Sequence, residues 1–169
     1  SLEEEGMQHP ILTVLHEMKP KNDFFESSSD SPVAQMSDQE FLQAKATYFG
    51  LMTEIDEQLG RVFDYLKATN QYDSTLIVFT SDHGEQLGDH YLFGKLGYFD
   101  ASYHIPLIIR DPKRQLQNVK TLEHFSESVD VMPTILDWLG LEIPDQCDGR
   151  SLLPFLENEV PRNWREEVH

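Results

Sequence analysis

"TLIVFTSDHG", residues 75–84, is the stretch on which the fold turns. Thr75–Thr80 is rich in β-branched and aromatic residues and nearly continuous in apolar character. A short run of this kind suits a strand buried on both faces, as in a parallel sheet covered by helices. Polarity then changes at once, to Ser81-Asp82-His83-Gly84. Open α/β sheets bind ligands just beyond the carboxyl ends of their strands. This first Asp-His pair therefore stands where such a fold places function.

Upstream, Ser37-Asp38-Gln39-Glu40 fits a capping box, in which serine and glutamate satisfy each other's backbone donors. Ala44, Tyr48, Leu51, Ile55, Leu59, Val62 and Leu66 follow at steps of three and four, which predicts one buried stripe on a helix over 38–69. Lys67 suits the last turn, and Asn70 can take the left-handed position after it. Before this helix, residues 7–36 read as irregular, with Ser27–Pro32 as a surface loop. His9 and His16 flank the apolar run Ile11–Leu15 and are given no role.

Downstream, residues 84–97 hold four of the nine glycines and read as a loop wrapped near the strand end. A second strand is expected at Ile105–Arg110, closed by Asp111-Pro112. Pro133 and Gly140 bracket a short helix ending at Leu139. From Gln146 onward the chain reads as loop, with a short turn at Leu152–Leu156. The order helix, strand, strand, helix indicates an α/β class with a mostly parallel sheet. The division is a lead-in at 1–36 and an α/β domain at 37–169. With Ser1 first and no initiator Met, the start is expected to be an expression scar or a cut end.

Bulk composition narrows the function classes. Hydrophobic residues make up 39% and charged residues 25% of 169, as in a soluble folded domain. No apolar run reaches the length of a membrane span, and residues 1–6 lack the pattern of a signal peptide. The net charge of −17 would repel a phosphate backbone, so nucleic acid is not an expected partner, nor is a membrane. Cys147 is the single cysteine, which excludes internal disulfides and mildly favours a reducing, cytoplasmic setting.

The loop carries a second Asp-His pair, Asp89-His90. An imidazole nitrogen beside a carboxylate oxygen suits a first-row metal such as Mn²⁺ or Zn²⁺ better than an all-oxygen Ca²⁺ site. Beyond a strand end the chain turns, so Asp82 and His83 can converge on one ion. Two ligands make a weak site, so others must come from elsewhere. Lys95 offers a point charge for an anionic oxygen. Metal-assisted attack on a phosphoryl or sulfuryl centre would need such a set. Asp89 fits a capping role, and His90 a supporting donor to a ligand or to substrate. Glu85 is a conceivable general acid, but a turn-forming or solvated role is preferred. His104 reads as structural, and Tyr98, Phe99 and Tyr103 as packing rather than a substrate platform.

The run "IVFTSDHGEQLGDHYLFGKLGYFDASYHIPLIIRDP", residues 77–112, resembles the sulfatase branch of the alkaline phosphatase superfamily. Its "SDHGEQLGDH" followed by "GK" is most similar to the phosphonate monoester hydrolases of that branch. "SVDVMPTILDWLGL" at 128–141 and "DGRSLLPFL" at 148–156 resemble the family's downstream helix and loop. The similarity spans about residues 40–165. It implies an alkaline-phosphatase-like sheet flanked by helices, present in part. It implies Asp82 and His83 as metal ligands and Lys95 as the contact to the substrate's non-bridging oxygens. His90 joins Lys95 among the catalytic candidates. The implied metal is Mn²⁺ first, with Ca²⁺, Zn²⁺ or Mg²⁺ as alternatives.

The family's formylglycine nucleophile arises in a Cys/Ser-x-Pro-x-Arg motif, which is absent here, so the nucleophile is expected outside this chain. The two further metal carboxylates of the family also have no match. A fragment with half a metal site is therefore expected, inactive alone. The parent would hydrolyse small phosphonate monoesters, phosphodiesters or sulfate esters, and a homo-oligomer is left open. The alternatives are an arylsulfatase or other sulfate-ester hydrolase, a phosphoethanolamine or glycerophosphate transferase, and a non-catalytic assembly domain.

Overall fold

The computed structural model describes residues 10–19, 32–96, 98–114, 121–157 and 159–168. The readings of His9 and of residues 27–31 lie outside them. The chain is α/β and divides into two compact units. One comprises Ser1–Tyr72 with Phe79–Ile108, the other Asp73–Val78 with Ile109–His169. Strands β1 (Ile77–Thr80) and β4 (Leu107–Arg110) are hydrogen-bonded neighbours in a two-stranded sheet. β4 starts two residues later than its sequence suggested. Pro106 has no N–H to give a ladder.

In the first unit, α1 (Pro10–Met18) occupies a stretch expected to be irregular. Its register buries Leu12 and His16 on one side. The long helix α2 (Asp38–Ala68) begins on the expected capping box. Ser37 Oγ accepts from the Glu40 N–H, and the Ser37 N–H donates to Glu40 Oε2 at 2.7 Å. Asn70 takes the left-handed conformation after its C-terminus (φ 54°). The expected buried stripe is realised only at its start. Ala44 is buried against Val33, Met36 and Phe93, whereas Leu51, Ile55 and Val62 stay about half exposed. Periodicity fixes which face is apolar, but the described residues cover only the first turns of that face.

The glycine-rich segment is more ordered than a wrapping loop. It folds as an antiparallel hairpin, β2 (Gln86–Leu87) with β3 (Phe93–Gly94), in the register Gln86 opposite Gly94 and Leu87 opposite Phe93. Phe93 carries the hairpin into the core by stacking on Phe41 of α2, centroids 5.5 Å apart. A second brace is Gln86, fully buried, whose Nε2 donates to Ser102 Oγ at 3.0 Å and to the Leu96 carbonyl. Ser102 belongs to α3 (Asp100–Tyr103), a single turn.

In the second unit, α4 (Val131–Trp138) and α5 (Leu153–Leu156) are organised by a buried carboxylate. Asp130 is fully buried and receives a bidentate pair from Arg165 at 2.6 and 2.7 Å. The backbone N–H groups of Arg150 and Glu127 add bonds at 2.8 Å each. A buried charge persists only when paired and hydrogen-bonded in this way. Gly149 lets the adjoining loop close on it, since a Cβ there would lie 2.0 Å from the Val129 carbonyl oxygen. The apolar side is Phe155, whose ring meets Trp164 edge-on at 4.7 Å. Asp111 ends β4. Burial pushes its carboxyl up, but bonds from the Trp138 indole and the Lys113 N–H, with the Arg114 charge, hold it below the usual range. Cys147 is a free, half-buried thiol. None of the described helices is long and apolar enough to cross a membrane.

β1 departs from its sequence reading. A strand buried on both faces was expected, yet Ile77 and Val78 are half-buried while Phe79 and Thr80 are exposed. Among the described residues, β4 alone flanks it in the sheet. The apolar composition that predicts double burial thus exceeds what the described residues provide.

Candidate metal and anion site

β1 ends at Thr80, and the next three residues turn the chain. Ser81 Oγ donates to the His83 carbonyl at 2.7 Å, and the His83 N–H donates to Asp82 Oδ1 at 2.9 Å. Neighbours that would diverge in an extended strand are thereby drawn together. His83 Nδ1 lies 2.8 Å from the Gly84 carbonyl. A carbonyl can only accept, so Nδ1 is the donor there and Nε2 is the ring nitrogen left on the Asp82 side. That Nε2 is 3.5 Å from Asp82 Oδ2. Two donors sharing one ion at bond lengths of about 2.1 Å stand roughly 3.0–3.5 Å apart, so this pair fits a common ion. The His83 N–H holds the Asp82 carboxyl below its ordinary range, with the His83 and Lys95 charges adding to the effect. An ionised carboxylate is the form a metal needs. Among the described residues there is no group of three or more His, Cys, Asp or Glu placed to hold a metal.

Lys95 directly follows β3, on an exposed part of the chain, and its charge reaches Asp82. The hairpin explains how: it folds the twelve residues after His83 back toward the end of β1. Glu85 serves that hairpin, since its Oε1 accepts from the Gly94 N–H. Of the two preferred readings of Glu85, turn-forming or solvated, this bond across the hairpin supports the turn-forming one. Gly84 fixes the other flank. Its N–H donates to the Ser102 carbonyl at 2.7 Å, and a Cβ would lie 2.1 Å from the Ala101 oxygen.

The second Asp-His pair sits at the hairpin tip. His90 and Tyr91 both adopt left-handed backbone, φ 53° and 55°. This conformation is uncommon for non-glycine residues and clusters at functional positions. The His90 ring stacks on Phe99, centroids 3.8 Å apart. His16 Nε2 donates to the His90 carbonyl at 2.7 Å, so α1 holds the tip. His16 therefore has a structural task, in keeping with a histidine beside an apolar run that was not read as a ligand. Asp89, His90, Tyr98, Phe99, Asp100 and Ala101 line an open pocket of about 530 Å³. Tyr98, expected to pack, is 86% exposed and stacks on Tyr103 at 5.3 Å. His104, expected to be structural, is exposed.

Comparison with known proteins extends this geometry. Residues 3–141 match the model of the Sulfatase family. The chain is 53% identical over 165 residues to the multifunctional alkaline phosphatase superfamily protein PehA of Trinickia caryophylli, covering 98% of this chain and 32% of that protein. It is 38% identical over 131 residues to the N-acetylglucosamine-6-O-sulfatase of Bacteroides thetaiotaomicron, 76% of this chain and 23% of that one. The crystal structure of the phosphonate monoester hydrolase of Agrobacterium radiobacter superposes with a TM-score of 0.89 at 40% identity, covering 98% of this chain and 33% of that one. The chain thus spans about a third of the length of the first of these relatives. The strand, the Asp-His turn and the hairpin belong to a shared fold, and on these matches the chain belongs to the sulfatase family, within the alkaline phosphatase superfamily.

Proposed function

We propose that this chain supplies half the metal site and the anion-binding lysine of a hydrolase for phosphonate monoesters or phosphodiesters. The observation that carries the proposal is the pairing of Asp82 Oδ2 with His83 Nε2 at 3.5 Å, just past β1. Asp82 and His83 would hold a divalent ion, one nitrogen and one oxygen donor suiting a first-row metal such as Mn²⁺ or Zn²⁺, and the resemblance to phosphonate monoester hydrolases puts Mn²⁺ first. That ion would supply charge neutralisation at the phosphoryl group and lower the pKa of a bound nucleophile. Lys95 would bind the non-bridging oxygens and stabilise the negative charge that grows on them. His90 would support substrate from the hairpin tip. The nucleophile and the remaining ligands would come from outside these 169 residues. A small phosphonate or phosphate ester is the proposed partner, and a cytoplasmic setting fits the single free thiol, Cys147.

A sulfate ester is the second reading, supported by the Sulfatase family match and the similarity to an N-acetylglucosamine-6-O-sulfatase. The two readings share every residue role and differ in the reacting atom. Steady-state kinetics of the complete polypeptide separate them, using p-nitrophenyl phenylphosphonate beside p-nitrophenyl sulfate. The phosphonate should give the higher kcat/KM. Lys95→Ala should lower it by about 10²–10³-fold, the usual loss for an electrostatic stabiliser. A Lys95→Ala enzyme with wild-type kcat/KM would remove the lysine from the site.

A further inference from the structure

The pocket beside the Asp-His turn has a chemistry of its own. Its walls are two carboxylates, Asp89 and Asp100, and three rings, Tyr98, Phe99 and His90, the last stacked on Phe99. Tyr98 is 86% exposed and Tyr103, stacked on it, is 57% exposed. Each ring covers one face of the other, and the pair stays largely exposed to solvent. The Gly84 N–H bond to Ser102 places this segment next to His83. An ester whose anionic centre lies at Asp82, His83 and Lys95 would therefore direct one of its substituents here.

The charges indicate which substituent. An anionic group would meet two carboxylates and be repelled. A neutral alkyl group would gain apolar contact but would desolvate the carboxylates with nothing in return. A cation gains on both counts, by Coulomb attraction to Asp89 and Asp100 and by cation–π attraction to the rings. The chain as a whole, at −17, repels an anion and repels a zwitterion less. We propose that this pocket receives the alcohol side of the substrate and selects an alcohol carrying an ammonium or quaternary ammonium group. The inference rests on the hydrolase reading and adds to it the class of leaving group.

The test uses the complete polypeptide loaded with Mn²⁺ and two phenylphosphonate monoesters of equal shape. One is the 2-(trimethylammonio)ethyl ester, the other the 3,3-dimethylbutyl ester, which has carbon in place of the charged nitrogen. The charged ester should have a kcat/KM higher by about tenfold, a size in keeping with a partly desolvated cation–π contact. Tyr98→Ala and Asp100→Asn should each pull that ratio toward one. Tyr98 is exposed and Asp100→Asn is nearly isosteric, so both variants are expected to fold. A wild-type ratio of one or less overturns the inference, and so does a ratio unchanged in both variants. Hydrolysis of p-nitrophenyl phenylphosphonate in the same preparation separates the two ideas. If it proceeds while the ratio is one, only the pocket is misread. If it does not proceed, the hydrolase reading fails, and this inference with it.

Discussion

Asp82 and His83 differ from Asp89 and His90 in what their backbones make available. The first pair sits in a turn that ties His83 Nδ1 to the Gly84 carbonyl and leaves Nε2 3.5 Å from Asp82 Oδ2. The second pair sits at a hairpin tip, where the His90 ring lies flat against Phe99. In the complete polypeptide, His83→Ala should lower Mn²⁺ affinity by more than about 100-fold. His90→Ala should cost tenfold or less, within the range of a supporting partner. Isothermal titration with Mn²⁺ reads both, and equal losses would show that the wrong pair was assigned to the metal. The placement of Asp82, His83 and Lys95 was legible in the sequence because each follows a feature with a local signature, a strand end or a glycine-rich turn; their roles in metal and anion binding are what the proposal adds. Asp130 was not legible. Its main partner, Arg165, is 35 residues away, and an aspartate before an apolar helix reads simply as a cap. The left-handed backbone at His90 and Tyr91 likewise has no sequence signal, since neither is glycine.

At the scale of elements, legibility followed the length of the pattern. Helix α2 carries 31 residues and a capping box, so its start was read to the residue and its end to within one. The hairpin has two residues in each strand, too few for alternation to show, and five glycine-containing residues at its tip. Its order comes instead from Phe93 on Phe41 and from Gln86 on Ser102, contacts between distant residues. The second unit depends on one buried charge in a similar way. Asp130→Ala removes the acceptor for Arg165, Arg150 and Glu127 together and leaves the largely buried guanidinium with Glu127, at 2.7 Å, as its carboxylate partner. Breaking a buried pair in this manner costs about 3–5 kcal/mol. Urea unfolding of the complete polypeptide, followed by tryptophan fluorescence at Trp138 and Trp164, should show a loss of that size. A loss below about 1 kcal/mol would mean that the Asp130 network is not what holds α4 to the loop at Arg150.

At the scale of the whole chain, two kinds of shortfall among the described residues coincide. The chemical kind is that Asp82 and His83 provide two donors, and no described group of three or more could hold a metal. The sequence also has no Cys/Ser-x-Pro-x-Arg motif. The physical kind is that Leu51, Ile55 and Val62 of α2 and Phe79 of β1 are exposed although their pattern calls for burial. Relatives about three times as long contain these same elements, which ties the two observations together. The 169-residue chain expressed by itself should therefore show no turnover of p-nitrophenyl phenylphosphonate, with or without Mn²⁺. Helical circular dichroism must first establish that the preparation is folded, so that silence reports chemistry rather than collapse. It should also bind a hydrophobic dye at the exposed face of α2, because about 25 cal/mol per Å² favours covering such surface. Turnover well above the metal-only background would place nucleophile and ligands inside these residues and undo the division of the site proposed for Asp82, His83 and Lys95.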